Sequence, residues 1–204
     1  MNETYRTIWS VEDWIKILRE AQDSPFVGYD FETAPSIRHI DFAPKKINKK
    51  VNKAYPTALR PEFGARICGI AIAWWCETKE CIKSAYVGIR HFHKFAGGKQ
   101  PDALKINQIF SDFIRERDVN KLLVVHNLAM ELSFQLAEDI AWPKQGQLHD
   151  TQIAARVLNK GVGWQQLIGL KPLQREVLGR NQDSKNDMDR WLKAHGYRSG
   201  ADIW

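Results

Sequence analysis

Two neighbouring apolar runs constrain the fold of this chain most strongly. They read ARICGIAIAWWC and IKSAYVGIRHF, contain several β-branched residues, and are joined by the short polar segment CETKEC. Apolar runs bounded by turn residues are typical of buried strands, and a short connection pairs two such strands antiparallel. The sequence therefore predicts a β-hairpin over 65–92 as part of a central sheet.

A shorter alternating run precedes the hairpin and carries two acids. In PFVGYDFETAP, apolar side chains alternate with Gly28, Asp30 and Glu32. The period of two in a strand puts both carboxylates on one face, about 6–7 Å apart along the backbone. Carboxylates at this separation can share two hard divalent ions, which is what phosphodiester hydrolysis chiefly requires. An edge strand with two solvated acids is the alternative, and the pattern alone leaves it open.

Helical periodicity surrounds these runs on both sides. Residues 10–20 begin with Ser10, a favoured N-cap, and predict a helix before the first strand. After the hairpin, the pattern predicts a helix over 103–117, a short buried strand in NKLLVVHN and a helix directly after it. From HDTQIAARVLN onward it predicts helices without further strands. This order indicates an α/β fold, a mixed central sheet flanked by helices, in which sites gather at strand ends.

Length and charge narrow the class of protein. At 204 residues the chain suits one well-packed domain, so we expect residues 1–204 to form a single domain. The formal charge of +6 and the pI near 9.2 favour a polyanionic partner, nucleic acid first and an acidic membrane surface second. No apolar run approaches the roughly 20 residues of a membrane-spanning helix, and the N-terminus lacks a signal peptide's pattern. We therefore expect a soluble intracellular protein without a membrane partner.

Residues 35–62 interrupt the pattern with a basic segment that contains four prolines. Its composition predicts an extended loop inserted into the domain. Two interpretations stay open: a solvated insertion without a partner, or a loop that contacts the backbone of a nucleic-acid strand beside the acidic strand. Its basic residues are Arg38, Lys45, Lys46, Lys49, Lys50, Lys53 and Arg60.

The cysteines and a histidine pair give weaker signals. The sequence has three cysteines, Cys68, Cys76 and Cys81. Because this number is odd and their spacings fit no zinc site, we expect buried thiols. Cys76 and Cys81 flank the hairpin turn, and a bridge between them is conceivable in an oxidising medium. His91 and His93 are too few for a metal site, and we expect a polar or stacking role near a strand end.

Four strings, in order, resemble one family. FVGYDFET resembles the first motif of the DEDD 3′→5′ exonucleases, and LLVVHNLAMELSFQL resembles their second. HDTQIAARVLN and LKPLQREVLG resemble stretches of the proofreading exonuclease domain of family A DNA polymerases. The match runs from about Pro25 to Gly179 and implies a ribonuclease-H-like fold.

The resemblance implies a set of site residues. Asp30 and Glu32 would be metal ligands for two Mg²⁺ or Mn²⁺ ions, with Glu32 also near the attacking water. Glu131 stands where the family has aspartate, one methylene shorter, and would be the third metal ligand and a catalytic residue. Asn127 and Thr33 would lie near the substrate strand. The alternative for Glu131 is an exposed acid in the first turn of a helix, where the helix dipole favours it.

Two further residues receive structural interpretations. The resemblance suggests a hydrogen-bonding role for His126 rather than that of a base. Asp150 matches the Asp-Thr position of the family, and we expect it to cap a helix.

The last aspartate of the family's site has no match in this chain. It follows a tyrosine by four residues or a histidine by five, on a late helix. Because the chain ends at GADIW without it, we expect a truncated gene product or the N-terminal portion of a longer polymerase. The residues that come nearest to this motif are Asp187, Asp189, His195, Tyr197 and Asp202.

These implications define the expected function. We expect a metal-dependent 3′→5′ exonuclease that acts on DNA 3′ ends, with frayed single strands as substrate and a polymerase domain or replication protein as partner. A viral or phage replication gene would be in keeping with it. The main alternative is a degenerate exonuclease fold that binds nucleic acid or a replication partner. The third is an exonuclease of the same class that acts on RNA.

Overall fold

A six-stranded mixed sheet forms the centre of the molecule. The computed structural model describes residues 4–34, 60–91, 100–158 and 169–179, together with Arg190 and Ala194. The strand order across the sheet is β1-β4-β3-β2-β5-β6. The strands are β1 Thr4–Ile8, β2 Phe26–Ala34, β3 Arg66–Cys76, β4 Cys81–Gly88, β5 Leu122–Val125 and β6 Leu148–Asp150.

Strand directions divide the sheet into an antiparallel middle and parallel flanks. β2, β3 and β4 pair antiparallel, which confirms the predicted hairpin. β1 runs parallel to β4, and β5 runs parallel to both β2 and β6. With helices packed against it, this sheet confirms the predicted α/β fold.

Five helices of the described residues surround the sheet. Ser10 caps the first helix as expected, since its hydroxyl accepts from the backbone N–H of Asp13 at 3.1 Å. None of the described helices is both long and apolar enough to cross a membrane. The helices are α1 Val11–Gln22, α2 Ala103–Glu116, α3 Leu128–Ala137, α4 Thr151–Leu158 and α5 Leu170–Leu178.

The core lies on the face of β2 opposite its acids. Tyr29 and Phe31 alternate with the acids and are almost fully buried. Both rings contact Phe110 of α2, with centroids 5.5 and 6.0 Å apart, and Trp14 of α1 contacts the same ring. Burial of this aromatic cluster fixes the register of β2 and thereby forces the alternate residues to the other face.

A buried arginine joins three separate segments beneath α1. Arg117 is 0% exposed, and its guanidinium donates to the carbonyls of Ala21, Gln22, Ser24 and Leu122 at 2.8–3.2 Å. Burial lowers the pKa of Arg117 to about 10, although the group stays charged at neutral pH. The side chain therefore satisfies the carbonyls where α1 ends and where β2 and β5 begin.

Two strands differ from the sequence predictions. The expectation that a helix comes first is wrong because β1 precedes α1, and the expectation of no strand after residue 148 is wrong because β6 ends at Asp150. Both strands lie at sheet edges, and β6 has only three residues. Edge strands pair on one side only, so their sequences carry little apolar alternation for a pattern search to find.

Several predicted features lie outside the described residues. These are most of the basic insertion, His93 and the late acids and aromatic residues that were compared with the family's last motif.

Candidate active site

β2 carries the predicted acid pair on its solvent face. Asp30 and Glu32 reach solvent, while Phe31 between them is buried. Asp30 pairs with Ala71 and Glu32 with Gly69 across the antiparallel ladder, so their partners on β3 are small. The register shifts between Glu32 and Thr33, which is a β-bulge, and Thr33 is half-buried directly after it. Bulges commonly re-aim side chains beside functional sites.

Glu131 lies against this pair. It occupies the first turn of α3, is 2% exposed, and accepts a hydrogen bond from the backbone N–H of Phe31 at 3.2 Å. Its carboxyl also forms a side-chain hydrogen bond with Asp30. The alternative interpretation of Glu131 as an exposed helix acid is therefore wrong, because the fold buries it beside β2.

The three acids repel one another electrostatically. Burial, followed by the charge of Asp30, raises the pKa of Glu131 to about 9. Burial also raises the pKa of Asp30 above its usual range, and burial together with the Asp30 charge does the same for Glu32. Carboxyl groups this close cannot all ionise without a compensating charge, so Glu131 retains its proton at neutral pH.

The donor set suits a hard divalent ion, although its present arrangement is not a finished metal site. Within the ranges that the structure describes, no group of three or more His, Cys, Asp or Glu side chains could hold a metal ion. One oxygen of Glu131 accepts from the Phe31 N–H, so that oxygen is already engaged. All the donors are carboxylate oxygens, which are the ligands that Mg²⁺ and Mn²⁺ prefer.

Asp150 confirms its predicted capping role and extends it to a second helix. It accepts from the backbone N–H groups of Gln152 and Ile153 in α4, at 2.7 and 3.3 Å. Its two oxygens also accept from the N–H groups of Asn127 and Leu128, at 3.3 and 2.9 Å, where α3 begins. One carboxylate thus holds the starts of two helices, and Asn127 itself adopts a left-handed conformation with φ of 70°.

His126 has the hydrogen-bonding role that the resemblance suggests. The Thr151 hydroxyl donates to the carbonyl of Val125 at 3.1 Å, and it lies 2.9 Å from Nδ1 of His126. Because the single hydroxyl proton is used on the carbonyl, Nδ1 is the donor of the second bond. His126 also lies near Asp30 and offsets part of the rise that burial causes in the pKa of that carboxyl.

Sequence reasoning missed an aromatic pair beside Glu32. Tyr86 forms a 2.5 Å hydrogen bond with His91 Nε2, which confirms the polar role expected of His91. A Cβ added to Gly69, which pairs with Glu32, would lie 2.0 Å from the Tyr86 hydroxyl oxygen. Burial and nearby negative charge, including that of Glu32, raise the pKa of Tyr86. Glycine inside a buried strand signals such a close approach, so Gly69 and Gly88 could have indicated it.

Comparison with known proteins identifies the fold. No protein-family model and no curated protein matches the sequence. Among solved structures, the chain is similar to NrnC of Brucella melitensis with bound Mg²⁺ (15% identity, TM-score 0.50, 90% of this chain and 65% of that one). It is also similar to RNase D of Escherichia coli (18%, 0.51, 100% and 42%) and to the EXO domain of Aedes aegypti Nibbler (11%, 0.53, 92% and 74%).

These neighbours show that the chain has the ribonuclease-H-like α/β fold. This confirms the predicted fold class, whereas the resemblance to the DEDD exonucleases stays a prediction. The predicted closeness to polymerase proofreading domains stays a prediction. The chain spans about two thirds of the length of NrnC and less than half of RNase D.

Proposed function

We propose that the chain is a metal-dependent 3′→5′ exonuclease with Asp30, Glu32 and Glu131 as metal ligands. The observation that carries this proposal is the burial of Glu131 against Asp30 at β2. Three acids in one cluster need either a retained proton or a cation to relieve their repulsion. Because the donors are all hard carboxylate oxygens, a divalent ion is the natural cation.

The proposed metal ligands differ in their exposure and in their protonation. Two bound Mg²⁺ or Mn²⁺ ions would activate a water and stabilise the leaving oxygen of an in-line phosphodiester displacement. Asp30 and Glu32 present their oxygens to solvent, whereas Glu131 must first give up its proton to become a ligand. Since ligands must be deprotonated, we expect ion binding to release a proton at neutral pH.

A nucleic-acid strand with a free 3′ end is the proposed substrate. The net charge of +6 favours a polyanion. Asn127 caps α3 one turn before Glu131, and Thr33 follows Glu32. These positions support the proposal that both residues contact a strand held at the carboxylates. The sequence resemblance to proofreading domains supports DNA, with a polymerase or another replication protein as partner.

RNA is the second candidate substrate. RNase D of Escherichia coli is an exoribonuclease involved in structured RNA processing, and the RNase domain of the yeast Pop2 protein shares the fold at a TM-score of 0.54. The 2′-hydroxyl is what separates the two substrates, so matched DNA and RNA strands distinguish them.

The test is degradation of 5′-labelled single-stranded DNA and RNA of one sequence, with Mg²⁺ or Mn²⁺. The site variant is Asp30→Asn/Glu32→Gln. A matched control, Glu77→Gln/Glu80→Gln, removes the same charge from the exposed turn at the far end of β3. We expect stepwise shortening from the 3′ end in the native chain and the control, and none in the site variant.

A catalytically degenerate domain is the second candidate function. The absence of a three-residue metal-holding group among the described residues favours it. If both strands stay intact with the native chain while binding persists, the exonuclease proposal fails and the degenerate domain replaces it. Equal shortening by the site variant would instead place the activity elsewhere or in a contaminant.

A further inference from the structure

The hairpin between β3 and β4 carries one cysteine on each strand beside its turn. Cys76 ends β3, Cys81 begins β4, and the register pairs them directly. Both thiols are free. Opposed residues of an antiparallel ladder share a face, with Cα atoms about 4.5–5.5 Å apart, and a disulfide needs about 4.4–6.8 Å. The backbone pairing already provides the spacing that a bridge requires.

The two thiols differ in their access to solvent. Cys81 is 4% exposed, whereas Cys76 is partly exposed and lines a cavity of about 300 Å³. Thr78 and Lys83 line the same cavity. The remaining cysteine, Cys68, is 0% exposed. A small reagent can therefore reach Cys76 first, and Cys81 is the thiol directly opposite Cys76 in the hairpin.

The surroundings of Cys76 favour its nucleophilic form. Its Sγ lies 3.4 Å from the hydroxyl oxygen of Thr78. A hydrogen bond from this hydroxyl, with a smaller contribution from Lys83, lowers the pKa of the Cys76 thiol. The thiolate is the species that attacks disulfides, so Cys76 is the more reactive member of the pair.

We propose that Cys76 and Cys81 form a thiol–disulfide exchange site that accepts a low-molecular-weight disulfide as its oxidant. The Cys76 thiolate attacks one sulfur of the small disulfide, whose S–S bond breaks, and one half leaves as a thiolate and takes up a proton. Cys81 then loses its proton, and its thiolate attacks Cys76 Sγ, which expels the second half as a thiol. Two electrons pass from the two protein thiols to the small disulfide.

This site is separate from the carboxylate cluster. Cys76 lies five positions along β3 from Ala71, the partner of Asp30. At about 3.4 Å per residue, this places the two sites about 17 Å apart along the strand. The proposal therefore does not depend on the exonuclease activity, and its test needs no nuclease assay.

The test is peptide mapping of the native chain after exposure to glutathione disulfide. After an acid quench, the protein is unfolded, its free thiols are blocked with N-ethylmaleimide, and trypsin is added. Cleavage after Lys79 separates the peptide that contains Cys68 and Cys76 from the peptide that contains Cys81. We expect the two peptides to become linked, with fragmentation placing the link at Cys76 and dithiothreitol reversing it.

Two variants sharpen the result. Cys76→Ser should abolish the link, and Cys68→Ser should leave it unchanged. The proposal is overturned if Cys81 remains fully blocked by maleimide, if Cys76 stops at the mixed disulfide, or if the link falls on Cys68. Because the native chain yields each of these outcomes by itself, a variant that fails to fold does not prevent a decision.

Discussion

Replacement of Asp150 by alanine tests how one carboxylate organises two helices. The change removes the acceptors of four backbone N–H groups, two at the start of α3 and two at the start of α4. Loss of one N-cap typically costs about 1 kcal/mol, so loss of two should cost about 2 kcal/mol of unfolding free energy. For a chain of this size, that corresponds to a fall in Tm of about 4–8 °C.

Thermal unfolding followed by circular dichroism measures this fall. Asp112→Ala is the matched control, because Asp112 is an exposed acid on α2 whose hydrogen bonds are to side chains only. Surface changes of that kind stay within about 0.5 kcal/mol. A Tm of Asp150→Ala that equals the control's would refute the argument that this carboxylate holds both helices.

Protonation of Asp150 should make the stability of the fold depend on pH, in a direction that its pKa shift determines. Burial by itself would raise the pKa of Asp150, but its four backbone hydrogen bonds outweigh burial and lower the pKa below the ordinary value of 3.8. A lowered folded-state pKa contributes stability above the unfolded pKa, and this contribution disappears as pH falls through the folded pKa. We expect the Tm gap between the native chain and Asp150→Asn to narrow below about pH 4. A gap that stays constant down to pH values near 2 would contradict it.

Three more changes test other parts of the structure by thermal unfolding. Gly69→Ala should destabilise by about 2 kcal/mol, since its Cβ would lie 2.0 Å from the Tyr86 hydroxyl oxygen, and Tyr86→Ala should relieve much of that cost in the double variant. Arg117→Met should cost about 2–4 kcal/mol because four carbonyls lose their donor, whereas Arg115→Met, in the exposed last turn of α2, should cost almost nothing. Glu131→Gln should change the free energy of unfolding by less than about 1 kcal/mol, because glutamine resembles the protonated acid. The same variant should abolish exonuclease activity. A large loss of stability would contradict the protonation of Glu131.

The sequence alone was sufficient to predict the elements whose own residues show a clear periodicity or a helix cap. The alternation of Tyr29 and Phe31 with Asp30 and Glu32 depends only on the strand period, so the sequence places both acids on one face. The cap at Ser10 is equally local. β1 and β6 are not, because each becomes a strand only when a partner strand is already in place.

The candidate site could be predicted only in part for a related reason. The resemblance brings Glu131 to the acids, but no pattern predicts that the fold buries it against the Phe31 N–H and keeps it protonated. Likewise, the Tyr86 side chain lies close to Gly69, the partner of Glu32, only because of the registers of the β2–β3 and β3–β4 pairs. These features arise from tertiary packing, which the short-range periodicity of a sequence does not reveal.

The buried guanidinium of Arg117 has a consequence for the order in which the domain opens. Its four acceptors come from residues 21–24 and from residue 122, which are almost a hundred positions apart in the chain. If α1 detaches from the sheet, the buried guanidinium loses two of its four carbonyl acceptors, those of Ala21 and Gln22. Partial opening at this point is therefore costly, so α1 and β5 should exchange their amide protons as one cooperative unit rather than fray separately.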